Sequence, residues 1–190
     1  MQINEFAFGA SWIVESDIYL DGRGSFRESF RRDKFLEFSG IDFQIEQSNC
    51  SVSSKGVLRG IHYSVARAGQ VKWVSCLEGE IQDYVVDLRV SSPTFGQWKS
   101  IAITSASGKS VVIGNGIGHA FEAMTENSIV AYSLNSSYEA ETERTINPFD
   151  VQLAIQWKVE TPILSNRDRF APSLNDQISQ QNLPNDIVES

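Results

Sequence analysis

From Ile45 to Ser137 the chain is a succession of short runs in which apolar and polar residues alternate. A side-chain period of two belongs to strands with one buried face, so this pattern excludes a helical bundle for the centre of the chain. The runs cover residues 45–53, 56–64, 71–79, 80–90, 98–104, 109–114, 119–124 and 129–137. Turn-forming residues separate them: Ser53–Lys55, Ser92–Gly96, Ser107 with Gly108, and Thr125–Asn127. The stretch DGRGSFRESF reads as a turn entering a strand. DKFLEFSG (33–40) reads as a short helix, with Asp33 as its N-cap and Gly40 as its stop. The last ~25 residues are polar, contain Pro172 and Pro184, and have room for a short helix. About ten short strands in one unit predict an all-β fold of the jelly-roll type, a double-sheet β-sandwich open at one end.

At 190 residues the chain suits a single domain, 1–190, with the tail from about 175 the least defined part. It carries 16 Lys and Arg against 24 Asp and Glu, a formal charge of −8. Such a surface argues against nucleic-acid binding and against an anionic membrane, but leaves room for a small anionic ligand held by a few local cations. The N-terminus has no basic residue before its apolar stretch, and no window approaches the ~18 apolar residues of a membrane span. The expectation is a cytoplasmic protein. Cys50 and Cys76 are too few for a disulfide framework and read as free thiols.

The two histidines, His62 and His119, cannot build a three-histidine metal site, and neither a metal nor a cofactor is expected. Five residues with chemistry stand inside strand-type runs: Arg59, His62, Lys72, His119 and Tyr132. Lys72 shares its parity with Val74 and Cys76, His119 with Phe121 and Ala123, and Tyr132 with Val130 and Leu134. Each therefore points with apolar neighbours toward the interior. Taken singly, each could be a snorkelling edge residue or a satisfied core histidine; together they suggest a pocket. Arg59 and His62 have opposite parity, and only a bulge at Gly60 would aim both into one mouth. GNGIG (114–118) lacks the spacing and the following helix of a dinucleotide loop and reads as a tight turn.

The stretches SVSSKGVLRGIHY, GEIQDYVVDLRVSSPTFGQW and GHAF, the Tyr132–Tyr138–Glu143 segment and LSNRDRFAPSL occur in order over roughly residues 3–175. Together they resemble the dTDP-4-dehydrorhamnose 3,5-epimerase family of cupins. That resemblance implies a dTDP-linked 4-keto-6-deoxy sugar as substrate and inversion of the carbons beside the ketone. By position, His62 matches the family's general base, Tyr132 its general acid and Asp168 the carboxylate that orients the histidine. Lys72 and His119 match residues around the sugar. Arg23, Glu28, Gln47, Asn49, Arg59, Glu143 and Arg167 match positions that hold the nucleotide, and Phe26 and Tyr138 match aromatic contacts. The resemblance also implies a homodimer with exchanged N-terminal strands.

The residue chemistry suits that reaction. An enolate oxygen needs a cation such as lysine, a largely neutral histidine can take the carbon-bound proton, and a protonated phenol can return one from the opposite face. Three positions depart from the family pattern: Val71 replaces a glycine, Ser75 a basic residue, and GlyAsnGlyIleGlyHisAlaPhe (114–121) a Pro-Glu-Gly-Phe-type sequence. These changes are expected around the sugar end, where they bear on carbon specificity. The alternatives are a 3-epimerase on the same substrate, a 3,4-ketoisomerase, and a non-catalytic sugar-nucleotide-binding cupin.

Overall fold

A computed structural model describes residues 1–66 and 69–184; residues 185–190 of the polar C-terminal stretch lie outside the described residues. The N-terminal part comprises β1 (Gln2–Ala7), β2 (Ser11–Glu15), β3 (Ile18–Asp21), β4 (Gly24–Arg27) and α1 (Arg32–Ser39). Then follow β5 (Gln47–Ser53), β6 (Leu58–Ser64), β7 (Lys72–Glu78), β8 (Glu80–Asp87) and β9 (Trp98–Thr104). The chain continues with β10 (Lys109–Ile113), β11 (Ile117–Ala123), β12 (Ser128–Leu134) and β13 (Glu143–Thr145). It closes with α2 (Asn166–Arg169) and α3 (Leu174–Ser179).

One sheet has the order β1-β2-β10-β7-β12-β5 and the other β13-β6-β11-β8-β9, with all of their strand pairs antiparallel. This is the expected cupin-type jelly roll. Between the sheets lies a cluster of Val74, Cys76, Val111 and Val130 from one face and Ile81, Val85, Ile103 and Phe121 from the other. Each large aliphatic or aromatic side chain fully buried there contributes roughly 1.5–3 kcal/mol. The outer faces are covered too. Trp12, Val71, Trp73 and Val112 pack against Phe35 of α1 and Phe43, while Leu58, Tyr84 and Ala120 lie under the C-terminal residues Ile146, Leu153 and Leu174.

β1, β2 and β13 were not legible as alternating runs. β2 is buried or half-buried along its length, which removes the polar half of the pattern, and β13 has only three residues. The helix over 33–40 forms as α1, but Asp33 is not its cap. Arg31 occupies the N-cap position without a side-chain cap bond, and Asp33 sits in the first turn, bonded to the Arg31 guanidinium at 2.8 Å. A carboxylate is favourable there because it faces the positive end of the helix dipole. Gly40 ends the helix as expected, with φ at 74° and its N–H on the Leu36 carbonyl. Gly114–Gly116 make the tight connection between β10 and β11.

β3 and β4 pair only with each other. Arg27 ties the base of this hairpin to the body by donating to the Ser105 carbonyl at 2.7 Å. Beyond it the hairpin presents Tyr19, Leu20 and Phe26 to solvent, 62%, 80% and 70% exposed. No helix among the described residues is long and apolar enough to cross a membrane.

Candidate active site

The two-residue period of the strands delivers Lys72 from β7, His119 from β11 and Tyr132 from β12 to the space between the sheets, beside Val74, Phe121 and Val130. His62 of β6 lies directly opposite His119. Arg59 joins them because β6 is bulged: Arg59 is opposite Phe121 and His62 opposite His119, so three steps of β6 match two of β11. Gly60 makes this possible. Its φ is 131°, and a Cβ there would run into Ala120 and stand 2.7 Å from the His119 carbonyl oxygen.

A cleft of about 380 Å³ opens on this face, lined by Gln47 and Asn49 of β5 together with His62, Lys72 and Tyr132. Tyr138, Glu143 and Arg167 complete its rim. A second cleft of about 300 Å³ shares His62 and Arg167 and adds Arg59, Ser165 and Asp168. A narrow recess of about 10 Å³, lined by His62, Gln70, Lys72 and His119, is floored by Gly114, Gly116 and Ile117. It is the size of about one water molecule.

His62 Nε2 lies 2.6 Å from Asp168 Oδ1. An ionised carboxylate only accepts, so Nε2 carries the hydrogen and Nδ1 is the free basic nitrogen. Asp168 is itself held. Ser165 caps α2 by accepting from the Asp168 N–H and donates its own hydroxyl to Asp168 Oδ2 at 2.9 Å. Burial pushes the Asp168 carboxyl up, but the His62 hydrogen bond and charge, Ser165 and the Gly60 N–H outweigh it and hold the group below the usual carboxylate range.

His119 forms a second pair deeper in the sandwich, with Nε2 2.8 Å from Asp83 Oδ2. Burial lowers its pKa, with the Asp83 carboxylate opposing and the charges of Lys72 and His62 adding to the fall. Burial likewise lowers Lys72, against the pull of Glu143 and Asp83. Its ammonium nitrogen sits 5.4 Å from the centroid of the Tyr132 ring. Burial raises the Tyr132 phenol, with Arg59 pulling down and Glu143 adding to the rise, so the hydroxyl stays protonated.

At the outer end, Gln47 donates to Asn49 Oδ1 at 3.0 Å and accepts the Tyr138 N–H at 2.7 Å. Arg59 is bonded to Ser53 Oγ and the Val52 carbonyl, and Arg167 to Thr145 Oγ1. Among the described residues neither guanidinium is neutralised by a carboxylate within ion-pair distance. Two such groups beside one cleft suit an anion with several oxygens.

Three expected residues stay away from these clefts. Arg23, Phe26 and Glu28 belong to the β3–β4 hairpin and its exit, where Arg23 pairs with Asp21 and Glu28 with Arg31. Two of the departures from the family pattern are also displaced. Val71 packs on the outer face with Trp73 and Val112, and Ser75 shares a buried hydroxyl contact of 2.7 Å with Ser110 of β10. Both have the parity opposite to Lys72, so they face away from the cleft, whereas Gly114, Gly116 and Ile117 line the recess beside Lys72 and His119. Three polar residues of the site were missed. Asp83 carries the same signal as Lys72, a charge in register with the apolar Ile81 and Val85 of one strand. Ser165 stands three residues before Asp168, in a helix-start pattern. Gln70, which donates to Glu143 at 2.9 Å, lies in a loop that carries no periodic signal.

A family profile described as dTDP-4-dehydrorhamnose 3,5-epimerase matches residues 5–176. A dTDP-4-dehydrorhamnose 3,5-epimerase of Mycolicibacterium smegmatis is 41% identical over 92% of this chain and 86% of its own. A dTDP-4-dehydro-6-deoxyglucose 3-epimerase of a Streptomyces species is 39% identical over 86% of this chain and 84% of its own. Among solved structures, the Legionella pneumophila 3,5-epimerase in complex with dTDP-4-keto-L-rhamnose superposes with a TM-score of 0.91 at 38% identity, covering 98% of this chain and 99% of that one. The profile match spans the strands that carry the cleft and the helix that carries Asp168, and the chain belongs to the dTDP-4-dehydrorhamnose 3,5-epimerase family.

Proposed function

We propose that the chain is a cofactor-independent epimerase that inverts C3, C5 or both in a dTDP-linked 4-keto-6-deoxyhexose, in deoxysugar biosynthesis. The observation that carries this reading is the opposition of His62, tied to Asp168, and a protonated Tyr132 in one cleft with Lys72. His62 Nδ1 takes the proton from the carbon beside the ketone. The C–H pair becomes the new carbon–carbon double bond, and the carbonyl electrons move onto oxygen, where the Lys72 ammonium stabilises them. When the ketone re-forms, the carbon takes the Tyr132 hydroxyl proton on its other face. Solvent then recharges the phenol and removes the histidine proton. The electron count closes without an oxidant or a carrier. His119 lies around the sugar. Arg59 and Arg167 hold diphosphate oxygens, while Gln47, Asn49, Glu143 and Tyr138 frame the nucleotide end.

The working form is a homodimer in which the N-terminal hairpin of one copy completes the site of the other. The exposed Tyr19, Leu20 and Phe26 support this, because an apolar arm is left uncovered by its own chain. An exchanged arm would carry Arg23, Phe26 and Glu28 to the partner's substrate. Incubating the substrate with the protein in D₂O tests the reaction. Deuterium at C3, at C5 or at both is expected, and the positions labelled separate the 3,5-epimerase from the 3-epimerase. No label at either carbon overturns the reading.

A further inference from the structure

Asp83 is fully buried, yet only one of its carboxylate oxygens is satisfied. Oδ2 receives the His119 Nε2 hydrogen at 2.8 Å, and Oδ1 has no hydrogen-bond partner among the described residues. A buried carboxylate with an open oxygen is costly, and such groups persist where the charge has a use. The surroundings show what that use is. Asp83 projects from the middle of β8 into the same interior as Lys72, whose ammonium has no carboxylate within ion-pair distance among the described residues. Lys72 is faced by Asp83 from β8, Glu143 from β13, His119 from β11, His62 from β6 and Tyr132 from β12. Glu143 is the stronger of the two negative charges acting on Lys72 and lies at the rim, bonded to Gln70, while Asp83 is the negative charge on the inner side.

We propose that Asp83 is a positioning residue: it locks His119 with the ring hydrogen on Nε2, and it is the buried counter-charge that keeps the Lys72 ammonium charged while it serves the enolate. The inference deepens the epimerase reading and rests on it. The Asp83 charge fixes the hydrogen on Nε2 and leaves Nδ1 as an acceptor, while burial and the Lys72 charge, against the pull of Asp83, keep His119 from competing with Lys72 as a cation. Two His–Asp pairs sit back to back across β6 and β11 and do different work: the outer one accepts a proton, and the inner one is kept from titrating.

The chain has only two histidines, so a protein labelled with ¹⁵N-histidine gives two ring systems and no overlap. In the wild type, long-range ¹H–¹⁵N correlations should show one ring as the Nε2–H tautomer, unchanged from pH 5.5 to 8.5. If both rings titrate fully to imidazolium in that range, or the unchanging ring is the Nδ1–H tautomer, the proposal is overturned without any variant being made. Asp83→Asn then removes the charge at nearly constant shape. The alkaline limb of the D₂O exchange profile should move to lower pH by about one unit, a tenfold loss at a fixed alkaline pH. dTDP affinity should stay within twofold. A uniform loss at every pH, with the limb in place, marks a merely structural role and overturns the proposal. Wild-type exchange in the same assay shows that the epimerase reading survives such a failure.

Discussion

Arg59 and His62 point to the same face of β6 although they stand three positions apart, because the strand spends one extra residue at Gly60. The bulge is what lets one strand supply both a guanidinium and an imidazole to adjoining clefts. Gly60→Ala should therefore fail on two counts, a Cβ against β11 and a backbone conformation that side chains disfavour. We expect a loss of about 3 kcal/mol in unfolding free energy by urea titration. An unchanged midpoint would show that the bulge accommodates a side chain.

The His62–Asp168 pair predicts a large kinetic effect with little effect on binding. Asp168→Asn should lower kcat by about a hundred- to ten-thousandfold, the usual worth of a positioned base, because the amide no longer fixes the tautomer or balances the imidazolium. dTDP affinity, measured by calorimetry, should hardly change. Ser165→Ala removes one hydrogen bond to the same carboxylate and should lower kcat by about tenfold.

The Asp168 carboxyl also links stability to pH. Its native pKa lies below the ordinary value, so its ionised form contributes stability that is complete above that ordinary value and lost as pH falls through the native one. The stability gap between the wild type and Asp168→Asn should thus be constant near neutrality and close below about pH 4. Thermal melts across about pH 2.5–7, a span that brackets the ordinary Asp value of about 3.9, read it directly. A gap that widens toward acid would contradict the assignment.

Tyr132→Phe separates proton removal from inversion. Exchange of the substrate proton in D₂O should persist through His62, while the product with inverted configuration should fall by at least about a hundredfold. Inversion at the wild-type rate would remove Tyr132 from the donor role.

Parity made the interior legible in the sequence. Lys72, His119 and Tyr132 could be placed with Val74, Phe121 and Val130 from strand alternation alone, and the structure gathers them. Asp83 obeyed the same rule and could have been placed with them. Asp168 could not, since α2 is a four-residue helix outside any periodic run, and only the family motif pointed to it. Proximity along the chain misled where parity would have corrected it: Val71 and Ser75 flank the site in sequence and face away from it in space. Strands buried on both faces, such as β2, have no alternation to read.

In the proposed homodimer, the exchanged β3–β4 arm would put part of the site under the law of mass action. An enzyme that borrows Arg23, Phe26 and Glu28 from a second copy has a specific activity that depends on its own concentration. Dilution should lower turnover per chain, saturating dTDP-sugar should resist that loss, and Leu20→Ser with Phe26→Ser should bring it on at higher protein concentration. Assembly and catalysis would then share one equilibrium, and a cell could set the flux through this step by how much of the chain it makes.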